Sequence, residues 1–517
     1  MTLAPGVASD IRARDASLGN CDTFHSRRPG RLVSWLAGAA GATLLSSCTA
    51  PASDGIPPSV AAVDVQAGAV SGSSAADGAE WTDGAPVVLD AGAPATDSGA
   101  EAATDASDEG PVHGSFGARF VERWTNADHD TDLYGLLETS IGNEKKDEVT
   151  GYVLARASWD LDGDQGQAPF GSLSDTDGGP VDTRLYEAYA DFHEKGFSLL
   201  RLGRQQLADT PEWVRFDGVS GETAEDGALR QQFGLYAGRP HHEFESESSG
   251  DKVFGGWYRT RLWQGGKLRL DAMHLEDEAQ LGSADNDLYS ARLTQQLGRE
   301  LNVQGKYTVL EEKPRDLDVR ATWVRPESGW LVNVWYHELV RTQSFLAEEF
   351  DPYFATLTEY FPFRQGRVMA SKSFDAGYDL TAGMDYRRLK DSADEGVFNR
   401  EFERYFLTGT VSDFLVKDLA LSLTGERWDG DGSDYATWGV DLTRKFSKAV
   451  RASLGSYYAL FKNDFLLATD REDVRTYYLS LKYIVDARLT WSLGVDHEES
   501  SDVDNFDTLT AKATWRF

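Results

Sequence analysis

The sequence predicts an all-β fold: one transmembrane, antiparallel, up-and-down β-barrel of about 22 strands, preceded by a disordered tether. Three observations carry this prediction. Apolar and polar residues alternate with period two from about Phe116 to the last residue. Short connections alternate with long polar ones. Composition also changes abruptly near residue 116, from a strand-poor acidic stretch to a strand-rich one.

The alternation is clearest at 506–517 (FDTLTAKATWRF), where Leu509, Ala511, Ala513, Trp515 and Phe517 share one face and Thr508, Thr510, Lys512, Thr514 and Arg516 share the other. A strand with one greasy and one wet face sits between apolar and aqueous surroundings. In an outer-membrane barrel the greasy face meets lipid, with aromatics near the membrane interface. Upstream, Val153/Ala155/Ala157/Trp159 oppose Tyr152/Leu154/Arg156/Ser158, and Trp330/Val332/Val334/Tyr336 oppose Leu331/Asn333/Trp335/His337. The same holds for Leu301 to Val309, Ala436 to Thr443 and Ala487 to Asp496. A chain ending on an aromatic residue after such a strand resembles the C-terminal signal that the barrel-assembly machinery recognises for insertion. Trp515 and Phe517 are its residues here.

Short links fall at 264–266, 298–300, 326–329, 446–448 and 485–486; longer ones at 160–182, 241–251, 341–365, 391–400 and 462–473. Short turns at the periplasmic end and long loops outside are what a barrel shows. An even strand count, which leaves both chain ends in the periplasm, requires splitting 213–240 into strand 213–222, turn 223–227 and strand 228–238. A soluble sandwich or propeller fits less well, because no fixed repeat motif recurs.

The 517 residues carry a formal charge of −33 and a mean hydropathy of −0.44. No apolar run is long enough for a membrane helix. Such acidity argues against nucleic acid as a partner. The two cysteines, Cys21 and Cys48, both precede the barrel, so disulfides do not hold it. The sparse His and the absence of CxxC or HExxH spacing point to no metal site, no cofactor and no enzyme.

Residues 1–47 read as a signal peptide with an over-long start: Arg27, Arg28 and Arg31 precede a short apolar run at 32–45. The run ends in Leu45-Ser46-Ser47-Cys48, which resembles a bacterial lipoprotein box with Cys48 as the lipidated residue; ordinary cleavage near Ala52 is the alternative. Residues 48–115, rich in Ala, Gly, Ser and Asp and without Lys or Arg, are too polar to bury a core and read as a tether in the periplasm. The barrel occupies 116–517.

Sorting strands by alternation puts Arg156, Arg201, Arg215, Arg230, Arg259, Arg261, Lys267, Arg269, Arg292, Lys306, Arg320, Arg387, Arg451, Lys482, Arg488, Lys512 and Arg516 on the lumen face. Fewer acids join them: Glu187, Asp191, Asp217, Asp271, Asp318, Asp379, Asp385, Glu426, Asp441 and Asp496. Charged rings on a pore wall set ion selectivity. Two outcomes stay open: a wall that favours anions, or arginines and carboxylates that mainly satisfy one another.

The densest patch, 199–219, joins Gly203-Arg204-Gln205 through a short loop to Arg215-Phe216-Asp217-Gly218. It resembles a segment of porins of the alginate-export and phosphate-selective type. Those relatives pass anionic solutes through Arg-rich lumens. The resemblance implies pore-lining roles for Arg201, Arg204, Arg215 and Arg230, and the alternation adds Asp217, Arg259, Arg261, Arg292 and Arg320. Arg204 is out of phase with Arg201, so a bulge or an interfacial place is open to it.

Two acidic stretches, 160–164 (DLDGD) and 429–434 (DGDGSD), have calcium-loop flavour, but the first has Gln165 and Gly171 where an EF-hand loop needs Gly and Glu. Solvated outer loops explain both. The aromatic-rich 345–363 reads as a packed loop that folds inward or lies on the rim. The sequence therefore points to a passive channel for small solutes, leaning to anions, in contact with outer-membrane lipid. The alternative is a structural barrel that sheathes a partner in export or electron transfer. Oligomeric state stays open: porin-like proteins are often trimers, and no strand marks a trimer face.

Overall fold

The computed structural model describes residues 111–517 except 127–128, 163–180, 195–196, 242–250, 280–281, 345–358, 397–398, 431–432, 465–468 and 501–504. The expected signal peptide, Cys48 and nearly all of the tether lie outside the described residues. Among those described, 22 strands form one closed antiparallel sheet. They are β1 (Val112–Trp124), β2 (His129–Ile141), β3 (Val149–Asp160), β4 (Val181–Glu194), β5 (Phe197–Leu207), β6 (Val214–Thr223), β7 (Gln232–Pro240) and β8 (Lys252–Trp263). Next come β9 (Gly266–Ala279), β10 (Gly282–Leu297), β11 (Leu301–Leu310), β12 (Lys313–Arg325) and β13 (Trp330–Leu339). A two-residue ladder of β14 (Gln343–Ser344) with β15 (Glu359–Tyr360) stands outside the sheet. The wall resumes with β16 (Phe363–Phe374), β17 (Tyr378–Leu389), β18 (Phe402–Val411), β19 (Leu419–Gly430) and β20 (Ser433–Lys445). It ends with β21 (Val450–Asp464), β22 (Thr469–Ile484), β23 (Leu489–Glu499) and β24 (Phe506–Arg516).

Closure runs through β1 and β24, from Ser115↔Arg516 to Trp124↔Asp507. Gly114 and Phe517 complete the ladder by exchanging backbone hydrogen bonds at 3.0 and 3.1 Å. Residues 112–115 are therefore strand, and the barrel begins four residues earlier than the composition change suggests. Closing the sheet satisfies every backbone group that an open edge would leave bare in hydrocarbon. At a strand spacing of about 4.8 Å and ordinary tilt, 22 strands make a ring roughly 40 Å across. Side chains alone do not fill such a ring.

The split in 213–240 occurs with shifted bounds. β7 starts at Gln232, because an Asp226↔Gln231 bridge closes the preceding turn and places Arg230 in it with φ 46°. The long connection expected at 462–473 is mostly strand: β21 runs to Asp464 and β22 begins at Thr469.

Outside a few bulges, as at Tyr186 of β4 and Leu460 of β21, the strands alternate as the pleat demands. Leu200, Leu202, Val219, Leu235, Leu293, Val334, Leu407, Leu423, Leu479 and Leu493 are exposed on the outer face. Trp263, Trp330, Phe374, Trp491 and Trp515 ring it toward the end bearing the short turns and the C-terminus, and Trp159, Phe254, Tyr405 and Trp438 toward the other. Aliphatic residues between two aromatic girdles match a bilayer cross-section.

Candidate functional site

The most structured feature of the lumen is a short connection. Residues 208–213, between β5 and β6, lie along the inner wall and contact β9 to β12. Asp209 joins Arg269 (3.4 Å) and Arg292, one on β9 and one on β10. The Lys306 ammonium donates to the carbonyls of Thr210 and Pro211, at 3.1 and 2.9 Å. Glu212 pairs with Arg315 of β12. Beneath the loop is an apolar pad of inward side chains from β6 to β11: Val214, Phe216, Tyr236, Val253, Met273, Leu275, Leu288 and Leu310, all buried, with Leu207 packed against it. The loop turns inward because apolar contact and charge pairing favour the same place.

Asp209 remains 64% exposed to the lumen. Loss of hydration there would raise its pKa, but Arg292, Arg269 and Lys306 outweigh this and hold the carboxyl below its ordinary 3.8. It stays ionised, and the link to both arginines stays charged.

Elsewhere the inner wall carries ion pairs. Arg201 binds Asp191 with two hydrogen bonds (2.7 and 2.8 Å) and lies 3.6 Å from the Tyr189 ring centroid. Arg123 bridges Asp130 and Asp132. Arg320 pairs with Asp318 at 2.9 Å, Arg367 with Asp385, and Arg404 with both Asp385 and Glu426. Bidentate and networked pairs of this kind are geometrically specific. Many lumen arginines are thus neutralised by a neighbour, which reduces the field their number alone suggests.

On β1 to β6, cations alternate with rings. Arg119 and Arg156 flank Tyr134 at 5.7 and 5.9 Å, Arg156 and Arg215 flank Tyr186 at 5.8 and 4.9 Å, and Arg215 reaches Trp213 at 5.0 Å. Stacking of this type fixes guanidinium orientation.

Arg201, Arg259, Arg292 and Arg320 stand on inward positions, Arg259 beside Trp257 and Gln232. Arg261 follows two residues later on β8, near its short-turn end. Arg215 is only 7% exposed and packs between Tyr186 and Trp213 instead of opening to the lumen. Three expected positions fall elsewhere. Arg204 and Asp217 share the outer face with Leu202 and Val219, where they form a bidentate pair (2.7 and 2.8 Å). The reason is parity: Arg204 is three residues from Arg201 and so points the other way. Arg230 sits in the turn before β7, half exposed and 3.8 Å from Glu225.

The alternation argument missed Arg123, Arg367, Arg404 and the acids Asp130 and Asp132, though their parity was available, and also Arg184 and Asp182, which a bulge at Tyr186 puts out of phase with Glu187. The loop anchors had no sequence signal, since Asp209 meets residues 60 and 83 positions away. Of the acidic stretches, Asp162 accepts from the Thr131 backbone N–H and lies 3.4 Å from His129; Asp164 lies outside the described residues. Most of the aromatic segment 345–363 does too. Its last residue, Phe363, stacks under Arg387 at 3.9 Å.

No family model matches the chain, and no curated protein matches its sequence. Solved structures resemble it at low identity. OccAB3 of Acinetobacter baumannii aligns with TM-score 0.39 and 10% identity, covering 78% of this chain and 99% of that one. The outer membrane protein OpdK of Pseudomonas aeruginosa gives 0.40 and 12%, with 78% and 98% covered. The siderophore receptor PirA of Pseudomonas aeruginosa gives 0.47 and 10%, with 79% and 81% covered.

Proposed function

We propose that the chain is a porin-like channel of the bacterial outer membrane, passing small hydrophilic solutes by diffusion. One observation carries this: a closed 22-stranded wall, apolar outside between two aromatic girdles and charged inside, with a loop docked on its inner face. A wall apolar on its outside needs lipid around it, and a polar inside needs water. Diffusion through it requires no nucleophile or cofactor.

The preference we assign is for anionic solutes, as in alginate-export and phosphate-selective porins. The support is Arg156, whose guanidinium is held between the Tyr134 and Tyr186 rings while its side chain stays partly exposed, so a passing carboxylate or phosphate meets an oriented donor. Arg201, Arg259, Arg261, Arg292 and Arg320 complete the pore lining in this proposal. Export by the 1–47 signal, lipidation at Cys48, a periplasmic tether, and insertion guided by Trp515 and Phe517 belong to the same proposal.

The test is single-channel recording of the purified barrel in a planar bilayer under a KCl gradient. A stable conductance with anion-selective reversal supports the proposal, and Arg320→Gln should then shift reversal toward zero. Silent bilayers from correctly folded protein would replace it with a scaffold barrel.

A further inference from the structure

The β20–β21 ladder is incomplete. β20 pairs with β19 along its whole length, down to Gly430↔Ser433, but with β21 only from Val440↔Ser456 to Lys445↔Arg451. β21 instead continues with β22 to Asp464↔Thr469. Above Val440 the β20–β21 ladder stops, and residues 458–460 of β21 and Glu472 of β22 pack against β18, β19 and the segment before β18. There the Tyr458 ring meets Trp428 edge-on at 6.2 Å, Leu460 lies against Gly430, and Glu472 pairs with Arg400 at 3.1 Å. The ladder skips Leu460 and Asp473, the latter at φ 54°, and such breaks bend a strand pair. This leaves a notch in the ladder beside the upper part of β20, bordered by Tyr458 and by Trp438, which is 54% exposed.

Arg475 of β22 sits in this notch. Its guanidinium donates to the Trp438 carbonyl, freed by the missing ladder, and to the Thr437 hydroxyl, and lies over the Trp438 and Tyr458 rings at 4.8 and 5.5 Å. All these partners are neutral. Among the described residues no carboxylate lies within ion-pair distance of Arg475. A cation with no ion pair among the described residues (its cross-strand neighbour Glu499 lies 3.7 Å from His497), rings on either side and a ladder that stops between β20 and β21 are the features that would hold a single-chain anionic amphiphile. We propose that the notch is a side portal for such molecules, the head group on Arg475 and the chain along Trp438 into the bilayer. This goes beyond diffusion of hydrophilic solutes through the lumen.

The test is photolabelling of the full-length barrel in lipid nanodiscs with a diazirine-bearing hexadecanoate, with adducts mapped by mass spectrometry. Adducts should concentrate on peptides containing Trp438 and Tyr458. Arg475→Gln should lower that labelling about tenfold, the loss of one charge-assisted hydrogen bond, without changing labelling at Leu493. The methyl ester of the probe should not favour the notch. Trp438→Leu provides a second variant should Arg475→Gln fail to fold, and it should lower the labelling yield on the peptide containing Tyr458. Uniform labelling of the outer face, equal labelling by the ester, or unchanged labelling in both folded variants overturns the portal. Ionic conductance should be unaltered by Arg475→Gln, so failure here is separable from failure of the channel proposal.

Discussion

Among the described residues, two segments turn inward from this barrel wall, and they are held by different chemistry. The loop 208–213 is fixed by four charged anchors over an apolar pad: Asp209 to Arg269 and Arg292, Lys306 to two carbonyls, and Glu212 to Arg315. The described upper parts of β21 and β22 are fixed by ring and aliphatic contact together with two ion pairs, Arg400–Glu472 and Lys462–Glu498. Charged anchors demand particular partners and so define one loop position. Apolar contact is less directional, and this side leaves a wall seam that Arg475 spans.

The largest expected effect is on the loop side. Phe216 has no exposed surface, so Phe216→Ala should cost about 3–5 kcal/mol, seen in denaturant unfolding of the reconstituted barrel. It should also raise single-channel conductance, because the loop loses its pad. A stable variant with unchanged conductance would show that the loop does not narrow the path.

Next comes the hairpin side. Gly455 lets Tyr478 cross β21 to reach Asp441; a Cβ there would lie 2.7 Å from the Tyr478 hydroxyl and 2.2 Å from the Val440 carbonyl. Gly455→Ala should therefore cost about 1–3 kcal/mol by overpacking and loosen the lower end of the seam. Hydrogen exchange of the β20 and β21 amides would report it; uniform protection would contradict the seam as a weak point.

Smaller again is Asp209→Asn. It keeps the shape but removes the charge that faces two arginines, at a cost of about 1–2 kcal/mol to loop docking. Reversal potential should move toward anions, since Arg269 and Arg292 lose a counter-charge. A move toward cations would reverse the assignment of the loop.

The smallest effect is with pH. Because the Asp209 carboxyl is held below its ordinary 3.8, its contribution is complete above that value and is lost as pH falls through the lower, folded one. Conductance attributable to the loop should stay flat from neutral pH down to about 4 and change only below it. A transition near pH 6 would point to another group.

Much of the wall was legible because period-two alternation is local: residues two apart share a face whatever lies elsewhere in the chain. That is why strand identity, the even count and inward positions such as Arg201 and Arg320 could be taken from the sequence. The same rule, followed strictly, would have turned Arg204 and Asp217 outward, where they pair. Bounds were harder where the backbone leaves the ladder, as at Arg230, whose left-handed φ belongs to a turn that alternation does not mark.

By itself, then, the sequence determined a lipid-facing wall, its closure by a final aromatic strand and the kinds of charge inside it. Only the tertiary structure decided which charges meet. Asp209 reaches Arg292 across 83 residues, and Arg400, just before β18, reaches Glu472 of β22. Pairings of that range depend on how far each hairpin bends and where each ladder stops. Those are set by the competition between neighbouring strands for backbone hydrogen bonds and by the packing of apolar side chains inside the ring, and neither is written in any one segment.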